Sequence, residues 1–132
     1  MSDEFYICIC SPFGPTYQFH LLNHTVHYGF STQHLVRPVE QLAALEYQPN
    51  KDAIEGFWTT VFEIGVPDWD PEYIHPEITD GPGWKLLLRR NKIETKSEGR
   101  AAFPNSPHPA YSPEFIDLIV AVRKLLNWMP FG

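Results

Sequence analysis

The chain has 132 residues, of which 43% are hydrophobic, 14% aromatic and 20% charged, with a formal net charge of −6. That size and balance predict one globular domain over residues 1–132 and exclude a disordered or low-complexity chain. No apolar run approaches the ~18 residues that cross a membrane, and so acidic a chain is a poor general ligand for nucleic acid, where phosphate contacts dominate.

The N-terminal MSDEFYICIC carries Asp3 and Glu4 where an export signal has Lys or Arg, so the expected location is the cytoplasm. Within it, EFYICIC (4–10) reads as a strand buried on both sides near the centre of a sheet. Cys8 and Cys10 stand two apart on that strand, point the same way and are badly placed to bridge each other. They read as buried, reduced thiols. SPFGP (11–15) is turn chemistry and ends the strand.

TYQFHLLNHTVHYGFS (16–31) admits two templates. A helix stacks His20, His24 and His27 on one face, but Thr25, Val26, Tyr28 and Gly29 are indifferent or poor helix formers. A hairpin runs along 17–22, turns at Asn23-His24 and returns along 25–30. Its aromatic and β-branched flanks favour the hairpin.

RPVEQLAALEYQ (37–48) reads as the first helix, with Pro38 in its first turn, Val39, Leu42 and Leu45 at helical spacing, and Pro49 and Asn50 as the stop. GFWTTVFEIG (56–65) reads as a strand, being aromatic and β-branched between glycines. VPDWDPEYIHPEITDGPG (66–83) has four prolines and reads as a long loop without a regular element, anchored by Trp69, Tyr73 and Ile78. WKLLLRRNKIETKSEG (84–99) reads as a hairpin turning at Asn91, with Trp84, Leu86 and Leu88 on one face and Lys85 and Arg89 on the other. After a second proline-rich connection (100–111), SPEFIDLIVAVRKLLNWM (112–129) reads as an amphipathic helix. Ser112 is its N-cap, Pro113 its first residue, and Phe115, Leu118, Ile119, Val122, Leu125, Leu126 and Met129 its apolar stripe. The fold class that follows is α+β: a mostly antiparallel sheet with the C-terminal helix packed on one face and a second short helix.

The chemistry-bearing residues are weighed against this frame. Zinc wants three or four converging ligands. The His20–His34 cluster supplies them only as a helix; in a hairpin His20 and His27 approach each other while His24 marks the turn. This is the basis of one alternative, a small metal-dependent enzyme or sensor. Cys8 and Cys10 look too buried for nucleophilic work, and no nucleophile elbow or phosphate-cradling glycine loop is present. The expectation is therefore a non-enzyme with no cofactor and no metal site. A second alternative is a nucleic-acid-associated factor using Arg89, Arg90, Lys92 and Lys96 of the basic 85–100 hairpin.

The acidic, aromatic loop is the most informative surface feature. Asp68, Trp69, Asp70, Glu72, Tyr73, Glu77 and Asp80 mix aromatic anchors with carboxylates on a proline-stiffened frame. Aromatic anchors build interface hot spots, pre-ordered loops lose little entropy on binding, and acidic charge speeds encounter with a basic partner. These residues are the predicted surface for a protein partner, such as a toxin or effector with a basic surface. The competing reading is that Trp69 and Tyr73 pin the loop to the core.

WDPEYIHPEITDGPGWKLLL, EGRAAFP and SPEFIDLIVAVRKLL occur in an order that resembles small single-domain bacterial proteins of the immunity-protein type. The pattern is Trp-x-x-x-Tyr, Asp-Gly-x-x-Trp at the mouth of a strand, a Gly-x-x-Ala-aromatic-Pro turn and a closing amphipathic helix. Here Pro82 follows Asp80-Gly81 in place of a small polar residue, and Ala101 stands in place of Asn. The resemblance implies an intracellular binding protein that inhibits or neutralises a partner. It carries no catalytic residues, and it implies that Trp84 serves the core and Gly81 and Gly83 the turn.

Overall fold

The computed structural model describes residues 2–74, 82–105 and 111–132. At its centre lies β1 (Glu4–Cys10), paired antiparallel with β2 (Thr16–Leu22) on one side and β6 (Gly83–Arg90) on the other. Beyond β2 come β3 (Thr25–Ser31) and the two-residue β4 (Ala43–Ala44); beyond β6 come β7 (Ile93–Arg100) and β5 (Glu72–Ile74). The order is β4-β3-β2-β1-β6-β7-β5, antiparallel throughout except where β5 runs parallel to β7. Two helices, α1 (Lys51–Ile64) and α2 (Pro113–Leu125), pack together on one face. This is the α+β architecture the sequence predicts, with EFYICIC as the central strand. No helix among the described residues is long and apolar enough to cross a membrane.

Strand alternation sends Phe5, Ile7 and Ile9 of β1, Phe19 and Leu21 of β2, and Trp84, Leu86 and Leu88 of β6 toward the helices, where all are buried. Phe5 meets the edges of Phe57 and Trp58, and Phe115 lies 5.1 Å from Trp84. Each fully buried side chain of this size contributes about 1.5–3 kcal/mol relative to exposure.

Both hairpins form as expected. Asn23 (φ 54°) turns the first, and Asn91 (φ 52°) with Lys92 (φ 69°) turns the second. The C-terminal helix starts where its cap predicts: Phe115 N–H donates to Ser112 Oγ at 3.2 Å. Past α2 the chain reverses through left-handed Asn127 and Trp128, and Phe131 enters the core. Arg123 Nε secures that tail by donating to the Phe131 carbonyl at 2.7 Å.

Three expectations are corrected. Residues 37–48 are not a helix: a single 3₁₀ turn, Val39–Gln41, is followed by β4. The edge of β3 competes for this backbone and wins. Leu45 N–H donates to Val26 O at 2.9 Å, and Val26 N–H donates to Gln48 Oε1 at 2.7 Å. Leu42, the one buried side chain here, packs on Gly29, where an added Cβ would stand 2.6 Å from Leu42 Cδ2.

Residues 56–65 are not a strand but most of α1. Asn50 starts that helix, its Oδ1 accepting from Ala53 N–H at 2.8 Å, and Gly65 (φ 93°) ends it. The buried residues Ile54, Phe57, Trp58 and Val61 follow the i, i+3, i+4, i+7 rule. Residues 66–83 also hold regular structure, a 3₁₀ turn at Val66–Asp68 and the edge strand β5. Three residues between prolines suffice for an edge.

Candidate functional site

The 66–74 loop is held against β7 at several points. Thr95 Oγ1 donates to Pro67 O at 2.9 Å, Ser97 Oγ to Asp70 O at 2.6 Å, and Glu98 N–H to Pro71 O at 3.0 Å. Asp70 N–H donates to Tyr73 Oη at 2.9 Å. These bonds satisfy Thr95 and Ser97, which would otherwise be buried polar groups on the helix face of β7.

Trp69 is 9% exposed, stacked on Phe115 at 6.1 Å and edge-on to Trp84 at 5.9 Å. It belongs to the core and is not presented as a surface anchor. Tyr73 is half-buried against Trp84, and burial pushes its hydroxyl pKa up. Asp68, Asp70 and Glu72 are exposed. The predicted set therefore separates into two aromatics that fix the loop and three carboxylates that face solvent. Glu77 and Asp80, together with the expected anchor Ile78, lie outside the described residues.

The histidines resolve as the hairpin requires. His20 and His27 are direct cross-strand partners with ring centroids 5.5 Å apart, and His24 is exposed at the turn. His20 Nε2 donates to Glu4 Oε2 at 2.7 Å, and the same carboxylate accepts from Arg89 Nη1 at 3.3 Å. Among the described residues no group of three or more His, Cys, Asp or Glu side chains converges on a point that could hold a metal. A three-histidine helical face does not exist.

The basic hairpin is partly compensated. Lys85 faces Glu98 at 4.0 Å, Arg89 bonds Glu94 at 2.9 Å, and Lys96 lies 3.7 Å from Glu94. Arg89 accordingly holds the Glu94 carboxyl below its usual pKa. Arg90 points to the other face, where it bonds Glu55 at 2.9 Å and lies 4.8 Å over the Trp58 ring. These pairings engage Lys85, Arg89, Arg90 and Lys96 and so reduce, without cancelling, the positive charge of the hairpin.

One feature escaped the sequence reading. The sheet face away from the helices is crossed by residues 32–37, a strap clamped by two buried polar side chains of β2. Thr16 Oγ1 donates to Gln33 O at 2.7 Å and accepts from Leu35 N–H at 3.0 Å. Gln18 Nε2 donates to Arg37 O at 2.8 Å, and its Oε1 accepts from Arg37 N–H at 3.0 Å. Alternate residues of β2 thus act as a partner strand for alternate residues of the strap. The available signal was Thr16, Gln18 and His20 alternating with Tyr17, Phe19 and Leu21, a polar face on a strand beside the centre of the sheet.

Between the strap and β5 lies a groove of about 780 Å³, floored by Tyr6, Cys8 and Cys10 and flanked by His34, Lys85 and Glu98. Both cysteines are free. Burial, then the neighbouring Cys10, pushes the Cys8 thiol up to about 12. Burial also raises Cys10, while Lys85 pulls it the other way. Burial, with Cys8 second, raises the Tyr6 hydroxyl. At neutral pH the floor of the groove is thus protonated and uncharged.

No protein-family model matches the chain, and no curated protein matches it.

Proposed function

We propose that the chain is a small intracellular binding protein of the inhibitor or immunity type, which neutralises a protein partner through the acidic 66–74 loop. The observation that carries this reading is the loop's construction: exposed Asp68, Asp70 and Glu72 stand on a frame fixed by Trp69, Tyr73, Thr95 and Ser97. A pre-ordered surface loses little entropy on association, and its charge speeds encounter with a basic patch. The partner is a protein with a complementary basic surface, and the contact is carboxylate to Lys or Arg around a rigid loop. The resemblance to immunity-type proteins over 69–126 points the same way.

The test is co-expression with the product of the adjacent reading frame in a host whose growth that product arrests. The wild-type chain should restore growth, and a Asp68→Lys, Asp70→Lys, Glu72→Lys triple variant should not, although its melting curve is unchanged. Rescue by the triple variant would remove the loop from the interface.

A further inference from the structure

Helices α1 and α2 meet along a groove of about 600 Å³ that opens away from the sheet. It runs from Ala53 to Ile64 on α1 and from Asp117 to Leu125 on α2. At 1.5 Å per residue these are roughly 16 Å and 12 Å of helix. Ala53, Gly56, Ile64, Val120 and Ala121 line the groove with small or apolar groups, and exposed Glu63, Asp117 and Lys124 stand at its rim.

Gly56 marks the place of closest approach. Glycine is among the poorest residues for a helix interior, yet Gly56 stands in the middle of α1. Other described glycines answer to the fold itself. Gly14, Gly65 and Gly132 take positive φ, and a Cβ on Gly29 or Gly99 would collide with Leu42 or Trp84. Gly56 has no positive φ, and a Cβ added there would meet nothing within 4 Å. Packing within the chain therefore does not call for glycine at this position. A backbone laid against it from outside does, because glycine lets two main chains come closest.

Shape and charge then choose the occupant. A groove between two packed helices fits a third, whose axis lies about 8–10 Å from each neighbour. Helix-in-groove recognition seats the apolar face of an amphipathic helix in this way. The exposed charges of α1 and α2 are Asp52, Glu55, Glu63 and Asp117 against Lys51 and Lys124. Past Gly65, α1 leads directly into the acidic 66–74 loop. A second copy of the chain would bring the same excess of acid to the contact and is disfavoured; a helix with basic flanks is favoured.

We propose that the α1–α2 groove seats an amphipathic helix of the protein partner, its apolar face over Gly56 and Ala121 and its Lys or Arg flanks toward Glu63 and Asp117. The inference rests on the reading that the chain binds a basic protein, and it adds a second contact beside the loop.

The probe is a fluorescein-labelled peptide of about 18 residues, long enough to hold a helix, with Leu and Ala on one face and Lys along both flanks. It is titrated with the full chain by fluorescence anisotropy, beside a counterpart carrying Glu in place of Lys. The Lys peptide should bind saturably and the Glu peptide at least about tenfold more weakly. Gly56→Leu fills the groove and should weaken the Lys peptide by about tenfold or more. The same variant should melt at or above the wild-type temperature, since leucine is the better helix former and its Cβ has room. Should it melt lower, Asp117→Lys on the rim carries the test with the same expected loss. No saturable binding, equal affinity for the two peptides, parental affinity in Gly56→Leu, or a dimer of the chain that Gly56→Leu dissolves would each overturn the proposal. The growth-rescue assay separates groove from loop. Rescue kept by Gly56→Leu but lost in the loop triple variant overturns the groove and leaves the loop; the reverse pattern supports the groove and removes the loop.

Discussion

On its helix side β1 contributes Phe5, Ile7 and Ile9 to a dry core of interlocking aromatic rings. On its open side the same strand contributes Glu4, Tyr6, Cys8 and Cys10 to a layer joined by hydrogen bonds and paired charges. The first face is buried by two helices. The second is shielded by a strap with no regular secondary structure, whose backbone is satisfied by Thr16 and Gln18. The strap thus covers the open face of a two-layer fold only in part: Cys8 is buried there, while Glu4, Tyr6 and Cys10 stay half-buried. Charge follows the same division. The open face sets Lys85, Arg89, Lys96 and Arg100 against Glu4, Glu72, Glu94 and Glu98, so the excess of acid lies elsewhere, including exposed Asp52, Glu63, Asp68 and Asp70.

The contrast can be broken from either side. The largest effect is expected on the helix face: Trp69→Ala should cost about 3–5 kcal/mol in urea unfolding, because it empties the stack between Phe115 and Trp84. A loss below about 1 kcal/mol would mean that the indole does not anchor the loop. On the open face, Gln18→Ala removes hydrogen bonds to Tyr6 and Arg37 and should cost about 2 kcal/mol. The decisive readout there is local: amide exchange at Arg37 should accelerate far more than at Phe5, and uniform acceleration would deny the strap its separate clamp.

The third prediction concerns alkaline pH. Cys8 binds its proton more tightly folded than unfolded, its pKa rising from 9.0 to about 12. Its contribution is therefore fully present below pH 9 and lost as pH rises toward 12, by up to about 1.4 kcal/mol per pH unit. Cys8→Ala should flatten the stability profile in that window; an unchanged slope would place the titration elsewhere. The smallest effect belongs to the exposed Lys85–Glu98 pair. Lys85→Ala should change stability by less than about 0.5 kcal/mol, and a larger loss would mean that the open face relies on its charges more than on its clamps.

Legibility in the sequence followed how local each determinant is. The two hairpins and α2 were readable because Asn23, Asn91 and Ser112 sit where strand or helix periodicity changes. The stretch around Pro49-Asn50 misled because one punctuation mark serves two neighbours. Read as a stop, it closed a helix that the β3 edge in fact unwinds; as a cap, it opens α1. The spacing of Ile54, Phe57, Trp58 and Val61 carried that answer beneath a strand-like composition. Trp69 was readable both as a surface anchor and as a pin to the core; its partners Trp84 and Phe115, which decide for the core, come from distant elements. The strap left only an indirect signal, the polar face of Thr16, Gln18 and His20, because its clamps join Thr16 and Gln18 to backbone 17 to 19 residues away.

The position of β1 also sets the order of assembly. Its β2 edge is sealed by a neighbour that follows a five-residue turn, but its β6 edge waits for residues as remote as Arg89, 85 positions from Glu4. The β2–β3 and β6–β7 hairpins close small loops, whereas the β1–β6 seam must gather most of the chain before it gains a contact. During synthesis β1 thus waits longest of these strands for its second neighbour. Until β6 emerges, the growing chain carries an apolar strand with one adhesive edge.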